Sequence, residues 1–182
     1  MKKWTLGLAV LLLLGFTGNA QAAQASGSNP VSNALRGLVA REAPNVVGAV
    51  EEMPANKFSY HPTPAQWTFG HLVVHIIGAN YGMCSSIGAV PRPKAAQVKD
   101  TDPKDKLVPA LKASFQFCTE ALKNVKDSSL SEEIPFFGMR KMTRGAMMIT
   151  MAQDYGDHYS QAASYLRLNG LLPPTAQHKR RM

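Results

Sequence analysis

The chain has 182 residues, 45% of them hydrophobic, and a formal charge of +8. That length supports one domain with a core of its own and is too short for two of ordinary size. The basic balance does not make it a nucleic-acid binder, because no basic stripe with interleaved aromatics occurs and the start of the chain directs it out of the cytoplasm.

Lys2-Lys3 precede an apolar run from Trp4 to Phe16, and Ala20-Gln21-Ala22 supplies a small-x-small cleavage pattern. Residues 1–22 therefore read as a secretory signal, cut after Ala22 or Ala23, and the mature protein is expected in the periplasm or outside the cell. A membrane anchor would need about 20 uninterrupted apolar residues. This run is shorter and is broken by Thr5, Gly7 and Gly15, and no cysteine stands near the cut for a lipid anchor. Residues 23–28 read as a disordered leader. Losing Lys2 and Lys3 lowers the formal charge from +8 to +6. Part of the excess lies in Lys179-Arg180-Arg181, within a solvated tail over 175–182.

The domain proper is expected over 29–174. Asn29 as cap and Pro30 at the first helical position start helix one. Its inward seam is Val31, Leu35, Leu38, Ala43, Val46, Val50 and Met53. Pro44 should kink it at a cost of about 3 kcal/mol, and Met53-Pro54 ends it. An irregular connection over 54–65 leads to helix two, from about Gln66 to Ile87. Leu72 to Ala79 is apolar all round except for His75, which marks a central, well-covered element. Gly78 and Gly82 read most simply as helix-packing tolerance, and alternatively as room for a ligand.

A linker over 88–102 contains Pro91 and Pro93. Helix three then runs from about Pro103 to Lys126 on a seam of Leu107, Leu111, Phe115, Cys118, Leu122 and Val125. Residues 127–142 read as loop, with Ile134-Pro135-Phe136-Phe137-Gly138 covering one end of a bundle. Thr143 caps helix four, which stops at Asn169-Gly170 before Pro173-Pro174. No alternating strand pattern of useful length and no internal repeat appears.

Cys84 and Cys118 both lie in the exported part and read as one disulfide, or else as two buried thiols acting as small hydrophobes. At 1.5 Å per residue, Cys84 lies roughly 6 Å from the end of helix two and Cys118 roughly 10–12 Å from the end of helix three. A bond is therefore feasible only if these helices run parallel. The linker must then return along roughly 33 Å of helix, within the roughly 50 Å that 15 residues reach.

On helix four, Met147, Met151, Asp154, His158, Ala162 and Tyr165 share one face, so a carboxylate and an imidazole one turn apart interrupt an apolar stripe. Burial of such a carboxylate calls for a hydrogen-bonded partner or a cation, and His75 is the natural third member.

Met53-Pro54-Ala55-Asn56-Lys57-Phe58-Ser59-Tyr60, Phe69-Gly70 with His75, Asn80-Tyr81, Cys84, Asp157-His158-Tyr159 and Tyr165-Leu166-Arg167 resemble the DinB-like superfamily, in a branch that is often exported. The resemblance implies an all-α four-helix bundle in up-down-down-up order. It also implies a divalent metal (Zn, Ni, Mn or Fe) held by three histidines, which fall here on His75, Asp154 and His158. Asp154 departs from the family's usual His, Ser160 from a common Gly, and His71 from a usual Glu or Gln. Two imidazoles and a carboxylate remain a competent ligand set. The departure could equally mark a branch that kept the fold and lost the metal.

His71, Asp157, Gln161 and Tyr165 are placed to support the ligands, with His71 read as a rim residue. No catalytic residue is legible. Two function classes follow: a metal-dependent transferase or hydrolase acting on a small molecule, or a non-enzymatic stress or binding protein using the same cleft. The expected partner is a small molecule, to a monomer or a homodimer, with neither nucleic acid nor a stable membrane anchor.

Overall fold

A computed structural model describes residues 28–94, 97–138 and 140–177. Helix α1 spans Pro30–Glu52, α2 Phe69–Gly88, α3 Lys104–Leu122, α4 Arg144–Leu168 and the short α5 Pro174–Gln177. Between α3 and α4, strands β1 (Glu133–Pro135) and β2 (Lys141–Thr143) pair antiparallel with Ile134 opposite Met142. The predicted signal, the leader up to residue 27 and the basic residues from His178 lie outside the described residues.

The long helices form an up-down-down-up bundle in which α1 and α2 each pack against both α3 and α4. Helices α2 and α3 run parallel. Near their starts the Asp100 carbonyl lies against Gly70, midway Asn80 donates to Ser114 Oγ at 2.9 Å, and at their ends Gly88 meets Ala121. Cys84 and Cys118 are disulfide-bonded between them, with Cα atoms 5.1 Å apart. The predicted seams of α3 and α4 are buried, apart from the half-buried Asp154.

Helix ends carry much of the tertiary specificity. Asn29 is the N-cap residue and its carbonyl accepts from the Asn33 N–H, but its side chain makes no capping bond; instead the carboxylate of Asp127, beyond α3, accepts from the N–H groups of Val31 (2.9 Å) and Ser32 (2.8 Å) and from Ser32 Oγ (2.6 Å). Asn29 Oδ1 returns a bond by accepting from the Asp127 N–H at 2.8 Å. Desolvation works against the Asp127 carboxylate, yet these donors hold its pKa below the ordinary range. At the other end of α1, Lys104 of α3 donates to the Met53 carbonyl at 2.9 Å. Helix α1 is thus fastened antiparallel to α3 at both ends, and it continues through Pro44 to Glu52. Thr143 caps α4 as expected, accepting from the Ala146 N–H. Helix α4 closes at Gly170 (φ 74°), where Leu171 N–H reaches Leu166 O and Gly170 N–H reaches Arg167 O.

Four sequence expectations are corrected. Helix α2 begins at Phe69, later than Gln66, because Thr68 Oγ1 accepts from the His71 N–H at 3.0 Å and so defines the cap. Helix α3 ends at Leu122, before Lys126, where Arg36 of α1 donates to the Leu122 carbonyl. The 127–142 loop contains the β1/β2 ribbon, whose three-residue strands are too short to show alternation. The first tail residues are packed: Tyr159 OH donates to Thr175 Oγ1 at 2.8 Å, and Pro174 lies on Gly48 of α1.

Gly88 and Ala89 exchange the roles usual at a helix end. Ala89 takes the left-handed conformation (φ 51°), while a Cβ on Gly88 would collide with the Ala121 carbonyl of α3. Glycine is spent on approach between parallel helices, and alanine bears the backbone strain. Ala89→Gly should therefore raise stability by about 1 kcal/mol. Gly88→Ala should lower it by about 1–3 kcal/mol, as overpacking does, both changes being read from urea unfolding midpoints.

Candidate metal centre

Helix α4 runs antiparallel to α2, and its contacts retreat along α2 as it advances. Arg144 donates to the Ile87 carbonyl at the end of α2, Tyr155 OH to Asn80 Oδ1 at 2.7 Å, and Tyr165 OH to the Trp67 carbonyl at 2.8 Å. His158 and His75 fall between the last two, with ring centroids 4.7 Å apart. The bundle's buried polar network, Tyr155 to Asn80 to Ser114 to the Leu111 carbonyl, is fully satisfied and ties α4, α2 and α3 at one level.

One turn above that network, His75, Asp154 and His158 each present a ligand atom within 4.8 Å of the other two. His158 is buried, while His75 and Asp154 are half-buried and face a cleft. Nε2 of His158 lies 3.1 Å from Asp154 Oδ1 and Nδ1 lies 3.8 Å from Asp157 Oδ2, but neither contact has hydrogen-bond geometry. Both ring nitrogens are therefore buried without a hydrogen bond, an expensive state for an imidazole.

The two histidines are tuned in opposite directions. Burial, followed by the neighbouring His158 charge, pushes His75 below its ordinary value, with Asp154 opposing. Burial also works to lower His158, but Asp154 and then Asp157 outweigh it and hold the pKa above the ordinary value.

The remaining predicted residues surround this cluster at different distances. His71 sits on the rim, its Nδ1 3.5 Å from Asp100 Oδ2. Asp157 faces the far side of His158 and accepts from Gln161 Nε2 at 2.8 Å. Tyr165 acts through Trp67, holding its carbonyl. Trp67 lies over the triad's outer side, with its ring 4.8 Å from His75 and 6.3 Å from His158. Sequence reading assigned Trp67 no role, although its place immediately before the Thr68 cap fixes it at the mouth of α2.

Away from Trp67 the triad opens into a cleft of about 390 Å³, lined by Gly78, Met83, Arg92, Phe136, Phe137 and Thr150 with His75 and Asp154. Arg92 was also missed. Its signal was a lone cation between two prolines. Gly78 is not a packing glycine, since a Cβ there would meet no atom within 4 Å. The alternative reading, room beside the site, fits this position.

An up-down-down-up bundle with parallel middle helices and a two-histidine, one-carboxylate cluster across α2 and α4 defines the class of protein. A family model described as DinB superfamily matches residues 39–162, most of the chain, and the protein belongs to that superfamily. Among solved structures it is similar to a DinB-like protein from Bacillus cereus ATCC 10987, with 20% identity over 78% of this chain and 95% of that one and a TM-score of 0.64. It is similar to another from Bacillus subtilis, with 18% identity over 76% and 93% and a TM-score of 0.62. A mycothiol-dependent maleylpyruvate isomerase is similar at 13% identity, over 71% of this chain and 59% of that one, with a TM-score of 0.54. These likenesses establish a shared fold. No curated protein sequence matches significantly.

In metal-free protein, His158 should titrate above about 6.5 and His75 below it, as read from imidazole proton shifts. The sign for stability follows from the shifts. His158 contributes stability fully present below its unfolded pKa and lost as pH rises through its raised folded pKa. His75 contributes stability present above its unfolded pKa and lost as pH falls through its depressed one. The stability advantage of wild type over His158→Gln should accordingly shrink above about pH 6.5, and an advantage that grows instead would contradict the arrangement.

Proposed function

We propose that the protein binds one divalent metal ion through His75, Asp154 and His158, and acts on or binds a small molecule in the adjoining cleft outside the cytoplasm. The observation that carries this reading is the buried His158 ring, whose two nitrogens make no hydrogen bond while one faces the Asp154 carboxylate beside His75. Two imidazoles and one carboxylate suit Zn, Ni, Mn or Fe and leave coordination positions for a further ligand. Bound there, the ion supplies Lewis-acid polarisation of an oxygen or sulfur donor.

The chain's own residues prepare the site for that task. His75, its pKa lowered by burial, is neutral and free to ligate near pH 7. Asp154, 3.1 Å from His158 Nε2, supplies negative charge that would offset part of a cation's. Asp157, bonded to Gln161, lies 3.8 Å from the opposite nitrogen of His158 and adds negative charge on that side. The Trp67 ring covers one side of the two imidazoles. Transfer to, or hydrolysis of, a small electrophile fits such a site, and the isomerase among the structural neighbours supports small-molecule chemistry on this fold. Export is part of the same proposal.

Melting of metal-stripped protein should rise on adding Zn, Ni, Mn or Fe, by about 2.7 kcal/mol of stabilisation at an ion concentration 100 times Kd. His75→Ala and His158→Ala should each remove that increment. Asp154→His should retain binding, and His71→Ala should change it little. Unchanged melting with all four ions would overturn the metal reading. Thiol-transfer and esterase screens of the loaded protein then separate an enzyme from a binder.

A further inference from the structure

Gly78 lies inside α2, just under one turn beyond His75, where glycine costs about 1 kcal/mol relative to alanine. Its helical backbone does not require glycine, and its open surroundings do not either. Gly78 borders the cleft that His75 and Asp154 line, and also a second hollow between α2 and the 92–99 connection. Gly82, one turn further, differs: the Phe137 ring comes within 3.1 Å of where its Cβ would stand. The roof of the cleft closes on Gly82 and leaves the space at Gly78 free.

Arg92 borders this cleft, a neighbouring hollow lined by Phe136 and Phe137, and a third lined by Gly78, Lys94 and Lys99. It is exposed and makes no hydrogen bond or ion pair with any described residue. Pro91 and Pro93 restrict the backbone on either side of it, so the guanidinium is presented from a stiff segment. Asp154 is the one carboxylate among the cleft's described lining residues, and its Oδ1 lies 3.1 Å from His158 Nε2. The rest of the lining is predominantly apolar.

We infer that the cleft takes a small molecule with an oxyanion group and an apolar body, the oxyanion paired with Arg92 and the body lying over Gly78 against Met83, Phe136 and Phe137. This deepens the proposed function. It rests on the metal reading only in sharing its cleft; Arg92 and Gly78 define the pocket without an ion. A planar guanidinium pairs with carboxylate and phosphate alike through two parallel hydrogen bonds.

The test is an NMR titration of ¹⁵N-labelled protein, with and without Zn, using benzoate, phenyl phosphate and the uncharged benzamide as probes. Benzoate or phenyl phosphate should shift the Gly78 and Gly82 amides saturably, and whichever binds more tightly identifies carboxylate or phosphate as the preferred head group. Benzamide should bind at least about fivefold more weakly, and Arg92→Gln should weaken the anion by about the same factor. Gly78→Leu should abolish probe binding while leaving Ni²⁺ quenching of Trp67 fluorescence intact. The smaller Gly78→Ala should raise the melting temperature and weaken the probe. Absence of saturable shifts with either anion, equal binding of benzamide, or indifference to Arg92→Gln would overturn the inference. Loss of Ni²⁺ quenching with anion binding retained would instead remove the metal reading and leave this one standing.

Discussion

The antiparallel register of α2 against α4 is the constraint on which the rest depends. Arg144 at Ile87, Tyr155 at Asn80, His158 at His75 and Tyr165 at Trp67 are rungs of one ladder, and slipping either helix by a turn would break all four. The rungs differ in chemistry. A buried guanidinium closes the carbonyl end of α2, where a cation also complements the helix dipole. A satisfied amide–phenol pair specifies the middle. Only the histidine rung is left incomplete, and that incompleteness marks it as the candidate site.

Holding α2 for this purpose falls to α3. The disulfide between Cys84 and Cys118, the Asn80–Ser114 bond and the close approach of Gly88 to Ala121 lock the parallel pair along most of its length. A parallel pair needs a long return connection, and that connection puts Arg92 beside the cleft and Asp100 beside His71. The segment demanded by topology thus also decorates the site. In the same way, the ribbon that returns the chain from α3 to α4 roofs the cleft with Phe136 and Phe137.

The triad is a compromise between burial and charge. A buried imidazole with no hydrogen bond is costly, and a carboxylate beside it offsets that cost only partly while the pair stays half-hydrated. The satisfied Tyr155–Asn80–Ser114 network directly below, with Asn80 and Ser114 fully buried, supplies the rigidity that holds such an arrangement in place. Trp67, its carbonyl held by Tyr165, packs its ring 4.8 Å from that of His75.

Local patterning determined the helices, most of their seams and their caps at Thr143 and Gly170, because helical periodicity and end signals act over a few residues. Cysteine placement and linker length together implied the parallel middle pair, since rise per residue converts sequence distance into height. The union of His75 with Asp154 and His158 was suggested by a lone histidine and an Asp-His pair in otherwise apolar faces, and the resemblance to the DinB-like superfamily made it a ligand set. Tertiary structure alone decided the rest. Asp127 caps a helix that begins 97 residues earlier, Ala89 rather than Gly88 turns left-handed, and Arg92 reaches a cleft formed by helices it does not belong to. In each of these the partner is distant in sequence, and a cap, a steric limit or a free charge declares its role only when the groups it faces are brought beside it.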